Sequence, residues 1–498
     1  MPPVNFVGGS YTLRSLPVDA QRAVNCYVET VESKTGKTPA VLLGTPGLKY
    51  FTGISLPAGM GIRGNGMYTT HADVVDRCFI AAGNQLWEVN QYAYLTQRGS
   101  FATSGGPVSI ADNGQYLVIV DGPYGYYLNL QTNQFAQILD PSFLGADRVQ
   151  TIDHYLLFNR PLSNQFFWTD LNSINFDALN FASVDGFPDR LVSLLVQQRE
   201  IWLFGATTTE RWMNVGDLLN PFQRIQGGFS EQGIAAPHSV ASLGASAHLW
   251  LSANQEGQAM VFLMRDGVLA RVSTHATEAA WQAYHLPGFL PNYKVVQDAL
   301  AWGEQRDGHE FYWLTFPSVN ATWVFDLSSG MWHERAWLNP ETGMLDRHRA
   351  NAHTFAFGLH LVGDWANGNV YVLDAQTYDD NGLPLVALRR APYVFQGKGA
   401  ANLPWVHHHT LQVDCQMGVG GDTGQGSDPQ MMLRWSDDAT GTWSEERRAT
   451  LGKEGQRLQR AVFRRLGRSR SRVYEVSISD PVPRAILGAY LEMEVAGV

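Results

Sequence analysis

The hydrophobic pattern is clearest between Glu310 and Arg335, where three short strands are predicted in succession. Large side chains fill both alternating sets of positions from Phe311 to Thr315, which indicates a strand with both faces at least partly covered. Breaks at Pro317–Asn320 and Leu327–Gly330 separate the strands, because proline provides no ladder donor and asparagine and glycine tolerate turns. A meander of three or four such strands cannot bury its own faces, so similar sheets should lie beside it.

The same paired apolar strands occur in six other places between residues 78 and 374. One marker position from each unit lies 38 to 48 residues from the next, except for one step of 62 residues. Spacings of ~40–50 residues are typical of four-stranded propeller blades, and the long step leaves room for a helix predicted at Ser273–Gln282. The pattern predicts an irregular six- to seven-bladed β-propeller over residues 59–382, with two stacked sandwiches as the alternative. The markers are Phe79, Val118, Leu156, Trp202, Trp250, Tyr312 and Leu359.

The two ends of the chain differ from this pattern. Residues 1–58 are polar and loop-rich, with one clear strand at Gln21–Glu29, and are predicted to form an extended arm that reaches a partner domain or subunit. Residues 383–498 carry at least five short strands and are predicted to form a β-sandwich or jelly-roll-like module, so the whole chain is expected to be all-β. These strands are predicted at Val406–Val413, Met431–Trp435, Val462–Leu466, Val473–Ile478 and Tyr490–Val495.

Net charge, apolar runs and cysteine spacing exclude several classes of protein. The formal net charge of −10 disfavours an ordinary nucleic-acid binder, although it permits contact with DNA that must slide. No run approaches ~18 apolar residues, and the first residues lack the features of a secretory signal, so neither a membrane span nor export is expected. Cys26, Cys78 and Cys415 lie far apart and are expected to be reduced thiols in a protein made in the cytoplasm.

A turn near the carboxyl end resembles the Asp-box, a hairpin turn in which an aspartate caps backbone amides above a tryptophan. Ser436, Asp438, Thr442 and Trp443 match the pattern, whereas Thr440 stands where glycine is usual. The box occurs in sialidases, but there it is structural. It motivates an alternative hypothesis of a carbohydrate-binding or glycan-hydrolysing propeller, although no arginine triad and tyrosine nucleophile can be assembled.

Three other groups could suggest chemistry. His407–His409 would place two imidazoles on one face of a strand and one on the other, without a carboxylate or thiol at ligand spacing. Asp437–Asp438 and Glu445–Glu446 could form an acid/base pair but are expected on exposed turns. We therefore predict no catalytic residue, no cofactor and no metal.

Arginine is concentrated in one segment of the predicted sandwich. Ten basic residues lie between Arg447 and Arg472, opposed within that run only by Glu454. Because arginine forms bidentate pairs with carboxylates and the rest of the chain is acidic, we favour an intersubunit or interdomain ion-pair seam over DNA binding. The candidate contact residues are Arg447, Arg448, Arg457, Arg460, Arg464, Arg465, Arg468, Arg470 and Arg472.

Several stretches, taken together and in order, carry a resemblance to a known family. They are LFGATTTERW at Leu203–Trp212, EQGIAAPHSVASLGASAHLWLS at Glu231–Ser252 and RVYEVSISDPVPRAILGAYLE at Arg472–Glu492, with the early QRAVNCYVE and GTPGL segments. The chain resembles the packaged-DNA-stabilisation proteins of short-tailed bacteriophages, also described as tail hub or nozzle proteins. Loop lengths differ at Asn339–Asn351 and Gly418–Ser427.

This resemblance implies a non-enzymatic structural protein of the virion tail, made in the host cytoplasm. Family membership implies a ring homo-oligomer, expected to be a hexamer, below the portal and its head-to-tail adaptor. It also implies retention of packaged DNA, a channel through which genomic DNA passes without sequence specificity, and docking of tail fibre, spike or plug proteins.

Overall fold

A computed structural model describes residues 3–33, 35–71, 76–187, 189–217, 220–253, 259–283, 296–396 and 404–495. Within these ranges the chain is almost entirely β and has one α-helix, His275–Ala283. The helix begins two residues after the predicted start because Thr274 caps it, its hydroxyl accepting a hydrogen bond from the Thr277 N–H at 3.2 Å. A propeller followed by a sandwich confirms the predicted fold class.

Six blades of the propeller are four-stranded antiparallel meanders that follow one another along the chain. The predicted markers of these blades each lie in the second strand of a different blade. Blade 1 consists of Ile62–Thr70, Arg77–Ala82, Gln85–Val89 and Leu95–Ser100, and blade 2 of Ser109–Asp112, Tyr116–Val120, Gly125–Asn129 and Phe135–Gln137. Blade 3 consists of Val149–Ile152, Tyr155–Asn159, Gln165–Thr169 and Phe176–Ser183, and blade 4 of Leu191–Gln197, Glu200–Gly205, Thr209–Asn214 and Phe222–Ser230. Blade 5 consists of Ala241–Leu243, Ala247–Ala253, Ala259–Arg265 and Val268–Arg271, and blade 6 of Leu300–Arg306, His309–Phe316, Ala321–Asp326 and Met331–Leu338.

The seventh sheet, blade 7, is composite and closes the ring. Its first three strands follow blade 6 along the chain, whereas its outermost strand, Gly47–Gly53, precedes blade 1 and pairs antiparallel with Asn369–Asp374. The predicted range of six to seven blades covers both ways of counting this sheet. The other two strands of blade 7 are Ala350–Ala356 and Leu359–Asp364, and the short strands Asp379–Asp380 and Leu383–Pro384 extend it.

Apolar side chains fill the space between each neighbouring pair of blades. Ile80 of blade 1 packs in one core with Leu361 of blade 7, so the last sheet contacts the first. Trp302 and Trp313 of blade 6 stack with ring centroids 4.3 Å apart, and they share a core with Val362 of blade 7. Burial of these large side chains between sheets is what stabilises the closed ring.

The carboxyl-terminal part forms two packed sheets that also use strands from the start of the chain. Leu411, Leu433, Phe463 and Tyr474 lie in their shared core. In order across it, the first sandwich sheet consists of Ala20–Val24, Ala387–Arg390, Ser471–Ile478, Gln430–Ser436 and Arg447–Thr450. The second sandwich sheet consists of Cys26–Thr30, Ala40–Gly44, Ala485–Val495, Val406–Cys415 and Ala461–Arg464. Short strands at Pro3–Val4, Tyr11–Thr12, Leu345–Arg347, Val394–Phe395 and Arg468–Ser469 add to the edges of these sheets and of blade 6.

Propeller and sandwich are joined at Asn25. Val24 pairs in parallel with Glu334 of blade 6, so the first sandwich sheet continues a propeller blade. The single strand predicted at Gln21–Glu29 is two strands in different sheets, because Asn25 adopts a left-handed conformation with φ of 52°. The Asn25 side chain is fully buried, donates to the carbonyls of Ala336 and Val386 at 2.8 and 2.9 Å, and accepts from the Ala336 N–H at 2.9 Å.

A second polar contact crosses the same junction. The imidazole of His309 in blade 6 lies between Asp326 of the same blade and Glu29 of the second sandwich sheet, with N···O distances of 2.9 and 2.6 Å. Hydrogen bonds to Asp326 and then to Glu29 outweigh burial and raise the pKa of His309 to about 9. A protonated His309 therefore bridges two carboxylates at neutral pH.

Candidate interaction surface

The arginine-rich segment lies along one edge of the sandwich, which we call the arginine edge. Arg447–Thr450 is the last strand of the first sandwich sheet, and Ala461–Arg464 is the last strand of the second. These two strands lie side by side, and Arg447 Nη1 donates to the Arg464 carbonyl at 2.7 Å. Since the strands that join the propeller form the opposite side of both sheets, the arginine edge points away from the propeller.

Most of the predicted contact residues are open to solvent. Arg448 pairs with Glu446 at 3.1 Å. In the part of the chain that the structure describes, the other exposed arginines of this edge have no carboxylate within 4.0 Å. Unpaired guanidinium groups on a strand edge block pairing with another sheet and are available to bind carboxylates or phosphates. The exposed members are Arg447, Arg448, Arg457, Arg460, Arg464, Arg465, Arg468 and Arg470.

Two tryptophans hold several of these guanidinium groups in place. Arg468 and Arg470 lie over the ring of Trp405, with Cζ 5.0 and 5.3 Å from its centroid. Arg447 lies over Trp435 at 5.2 Å. Stacking on an aromatic face restricts a flexible side chain, so less conformational entropy is lost when a partner binds.

Arg472 differs from the other predicted residues because it is buried, with 1% of its surface exposed. Its Nε and Nη2 donate to the Asp437 carboxylate at 2.6 and 2.8 Å. Its guanidinium also packs against Trp435 and Tyr474, with Cζ 5.1 and 5.7 Å from the two ring centroids. Arg472 thereby connects the Asp-box-like turn to the core beneath the arginine edge.

The Asp-box-like turn forms a compact network. Asp438 Oδ1 accepts from the Ser436 hydroxyl and from the Thr442 N–H, both at 2.8 Å, and its Oδ2 accepts from the Thr442 hydroxyl at 2.7 Å. The Thr442 N–H, then its hydroxyl and that of Ser436, lower the pKa of Asp438 to about 2. Trp443 lies beneath Arg390 and Arg434, at 4.9 and 4.6 Å from its ring centroid. All four matching side chains are used in holding the turn.

Replacing Thr440 by glycine should stabilise this turn. Thr440 has a φ of 72°, in the left-handed region that a Cβ disfavours, and its position is the one where the Asp-box pattern has glycine. We expect Thr440→Gly to raise the free energy of unfolding by about 0.5–1 kcal/mol, net of the added freedom of the unfolded chain. Urea unfolding followed by tryptophan fluorescence measures this change. Thr440→Ala is the control, since it keeps the Cβ; an equal gain in both variants would contradict the backbone explanation.

The three consecutive histidines alternate between the two faces of their strand, as the sequence indicates. His407 and His409 are exposed on one face, with ring centroids 6.3 Å apart. His408 is buried, and its ring nitrogens lie 2.9 Å from the Ser469 hydroxyl and 2.8 Å from the Tyr474 hydroxyl. Burial, followed by repulsion from Arg472, lowers the pKa of His408 to about 4, so it is neutral at physiological pH. Among the described residues, no three His, Cys, Asp or Glu side chains are grouped so as to hold a metal ion.

Sequence reasoning identified the arginines but not the side chains that position them. Trp405, Trp435 and Asp437 are distant from their arginine partners along the chain, and Glu475 bridges Arg390 and Arg434 from another strand. A strand pattern gives the face of each residue but not its neighbour across the sheet.

Several solved structures resemble this chain at low sequence identity. One chain of a complex of S. cerevisiae Dbp5 with Nup159, Gle1, IP6 and ADP has a TM-score of 0.42 at 11% identity, covering 73% of this chain and 99% of that one. The extracellular domain of the putative one-component system BT4673 from B. thetaiotaomicron has a TM-score of 0.41 at 11% identity, with coverages of 76% and 46%. The Neurospora crassa Pan2 WD40 domain has a TM-score of 0.39 at 8% identity, with coverages of 66% and 96%. At these values none indicates a function for this chain.

Family models give a definite result. No curated protein matches the chain. The model described as bacteriophage P22 Gp10, beta-propeller, matches residues 19–378, and the model described as bacteriophage P22 Gp10, beta-sandwich, matches residues 400–494. Both are families of structural phage proteins, and no helix among the described residues is long and apolar enough to cross a bilayer. The chain therefore belongs to the bacteriophage P22 Gp10 family of structural proteins that stabilise packaged DNA.

Proposed function

We propose that this protein is a tail hub that assembles as a ring of six copies below the portal and head-to-tail adaptor of a short-tailed phage. In this role it retains packaged DNA, surrounds the ejection channel and docks fibres, spikes or a plug, without enzymatic activity. The match to both P22 Gp10 domains supports a virion structural role. We further propose that residues 1–58, 59–382 and 383–498 act as arm, propeller and sandwich in this assembly.

The observation that carries the ring proposal is the arginine edge. A closed ring uses heterologous contacts, in which one surface of a copy meets a different surface of the next. The arginine edge is an exposed cationic strip in which, among the described residues, only Arg448 has a carboxylate partner, whereas the chain as a whole has a formal charge of −10. A basic edge of one copy facing an acidic surface of its neighbour gives both attraction and a fixed orientation.

The proposed DNA channel lies between copies and not within one propeller. A cavity of about 560 Å³, lined by residues of blades 1, 2, 5, 6 and 7 and of the segments before them, is too small to admit a double helix. A ring of acidic subunits gives a channel with negative potential, which repels phosphates and lets DNA slide without being held. Exposed apolar side chains of the propeller, such as Leu139, Leu162 and Leu179 at 80–83% exposure, are candidates for docking other tail proteins.

Neutralising the centre of the arginine edge tests the proposal. The triple variant Arg464→Gln, Arg465→Gln and Arg468→Gln should lose ring formation and binding to portal–adaptor complexes, measured by sedimentation velocity and negative-stain microscopy. Its unfolding midpoint should fall only slightly, because these exposed side chains have no carboxylate partner in the described structure and the variant loses one stacking contact, that of Arg468 with Trp405. The control removes the same amount of charge from the propeller by replacing three exposed arginines by glutamine: Arg160, Arg199, which pairs with Asp153, and Arg265, which pairs with Asp266.

Two results would contradict the assignment. If the triple variant assembles as the unmodified protein does, the arginine edge is not the seam. If the unmodified protein is strictly monomeric and does not bind portal–adaptor complexes, the tail-hub proposal fails. The alternative that the edge binds DNA predicts that the slope of log affinity for duplex DNA against log salt concentration becomes shallower by about 3 in the triple variant but not in the control.

A further inference from the structure

The outer edge of blade 3 differs in charge from the outer edges of the other blades. Its outermost strand, Phe176–Ser183, contains one aspartate and no lysine or arginine. Each other blade whose outermost strand is longer than three residues has at least one basic residue in that strand. The turns on both sides of Phe176–Ser183 continue the pattern, since residues 161–189 contain four aspartates and no lysine or arginine. We call this strand and its flanking turns the blade 3 edge. The basic residues of the other strands are Lys49, Arg98, Arg224, Arg271 and Arg335.

Three aspartates of the blade 3 edge are exposed and lack a basic partner. Asp170, Asp177 and Asp185 have no lysine, arginine or histidine nitrogen within 4.0 Å among the residues that the structure describes. Asp170 Oδ1 accepts from the Asn180 amide at 3.2 Å, and Asp177 Oδ1 accepts from the Leu179 N–H at 2.9 Å. These bonds hold the two carboxylates in place and use only one oxygen of each.

The same strand carries an exposed apolar side chain on a bulge. Phe181 pairs with Phe167 and Phe176 pairs with Thr169, so residues 177–180 lie opposite a single residue of the neighbouring strand. The bulge directs Leu179 away from the sheet, with 80% of its surface exposed. A bulged edge is a poor template for another strand, so we expect a partner to be bound by side chains and not by extension of the sheet.

The arginine edge combines the same two features with the opposite charge. Leu458 is 98% exposed, more than any other large apolar side chain among the described residues. Arg457 and Arg460 flank it along the chain, and the exposed Arg464 and Arg465 follow at the end of the next strand. Contact between the two edges would bury leucines from both sides and pair the free cations with the free carboxylates.

The two edges lie at opposite ends of the molecule. The first sandwich sheet continues blade 6, and the arginine edge lies on its far side. In a ring of seven blades, no blade is farther from blade 6 than blade 3 is. One copy therefore cannot bring its own two edges together, but it can contact two neighbours at once, one through each edge. This is the arrangement that a heterologous contact in a ring requires.

We propose that the blade 3 edge is the surface that receives the arginine edge of the next copy in the ring. This inference rests on the proposed function and identifies the second half of its seam. It narrows the docking role of Leu179 to a second copy of this chain.

Charge reversal on each edge tests the pairing. The blade 3 variant carries Asp170→Lys and Asp177→Lys, and the arginine-edge variant carries Arg464→Glu and Arg465→Glu. Each variant alone should need at least about a hundredfold higher concentration to form rings, because like charges then face each other. An equimolar mixture should assemble as the unmodified protein does, because every contact between the two variants joins opposite charges. Sedimentation velocity, with and without portal–adaptor complexes, measures the assembly.

The control reverses two exposed carboxylates outside both edges, with Asp266→Lys and Glu341→Lys in turns that follow strands of blades 5 and 6. It makes the same change in net charge as the blade 3 variant and should form rings normally. Should the blade 3 variant fail to fold, Leu179→Arg decides the question. This change removes no side-chain hydrogen bond and places a cation in the middle of the blade 3 edge, so ring formation should weaken about tenfold.

Three outcomes would overturn the inference: normal ring formation by the blade 3 variant, normal ring formation by Leu179→Arg, or an equimolar mixture that assembles no better than its two components. In each case the arginine edge would meet some other surface, and the proposed function would stand on its own test. An unmodified protein that forms no ring, alone or on portal–adaptor complexes, would overturn the proposed function together with this inference.

Discussion

Replacing Asn25 by leucine is expected to lower the free energy of unfolding by about 4–6 kcal/mol. Leucine has the same number and branching of side-chain heavy atoms but cannot pair with the Ala336 N–H and carbonyl or with the Val386 carbonyl, which would stay buried without partners. A branched apolar side chain is also disfavoured at a φ of 52°. Urea unfolding followed by tryptophan fluorescence should show this loss, and limited proteolysis should begin at the junction between propeller and sandwich.

Asn381 provides the matched control for Asn25. It has a similar φ of 53° but lies exposed in a turn, and its side chain has no hydrogen-bond partner among the described residues. Asn381→Leu should therefore cost only about 1 kcal/mol, because an apolar side chain tolerates left-handed backbone less well than asparagine does. Equal losses in the two variants would show that backbone conformation, and not the hydrogen bonds across the junction, accounts for the effect.

The contact of His309 with Glu29 and Asp326 should make stability depend on pH. The pKa of His309 is raised to about 9 in the folded protein, against about 6.5 in an unfolded chain. The stabilisation is complete below pH 6.5 and is lost as the pH rises through 9, because only the folded state holds the proton in that interval. With allowance for the partly exposed Glu29, we expect about 2 kcal/mol to be lost between pH 6.5 and 9.5.

The measurement is the difference in unfolding free energy between the unmodified protein and His309→Gln at each pH. Glutamine can donate to only one of the carboxylates and does not titrate, so this difference should decrease across the interval. Other groups, such as Asp380, whose pKa burial raises to about 7, titrate in both proteins and cancel. A difference that stays constant from pH 6.5 to 9.5 would show that His309 is not protonated between the two carboxylates.

Much of the propeller could be predicted from the sequence because each blade is local. A strand, a turn and the next strand lie within about ten residues of each other, so alternation and turn residues identify the pair. The marker Tyr312 and its equivalents all fall in second strands for this reason. The pairing of Gly47–Gly53 with Asn369–Asp374 could not be predicted, since periodicity identifies a strand but not a partner distant in sequence.

The arginine edge could likewise be predicted only in part from the sequence. The density of arginine between Arg447 and Arg472 is visible in the sequence, and it predicted a charged surface. Arg472 is buried whereas the neighbouring arginines are exposed, because Arg472 pairs with Asp437 and packs against Trp435.

The order in which strands pair has a consequence for synthesis. Gly47–Gly53 leaves the ribosome more than 300 residues before Asn369–Asp374, and Ala40–Gly44 waits for Ala485–Val495 at the other end of the chain. At ~5–20 residues per second, the earlier strands remain without their partners for roughly a quarter of a minute or longer. A product that terminates before Asn369 can complete neither module, whereas one that terminates between Asn369–Asp374 and Ala485 can close the propeller but leaves the sandwich without its longest strand.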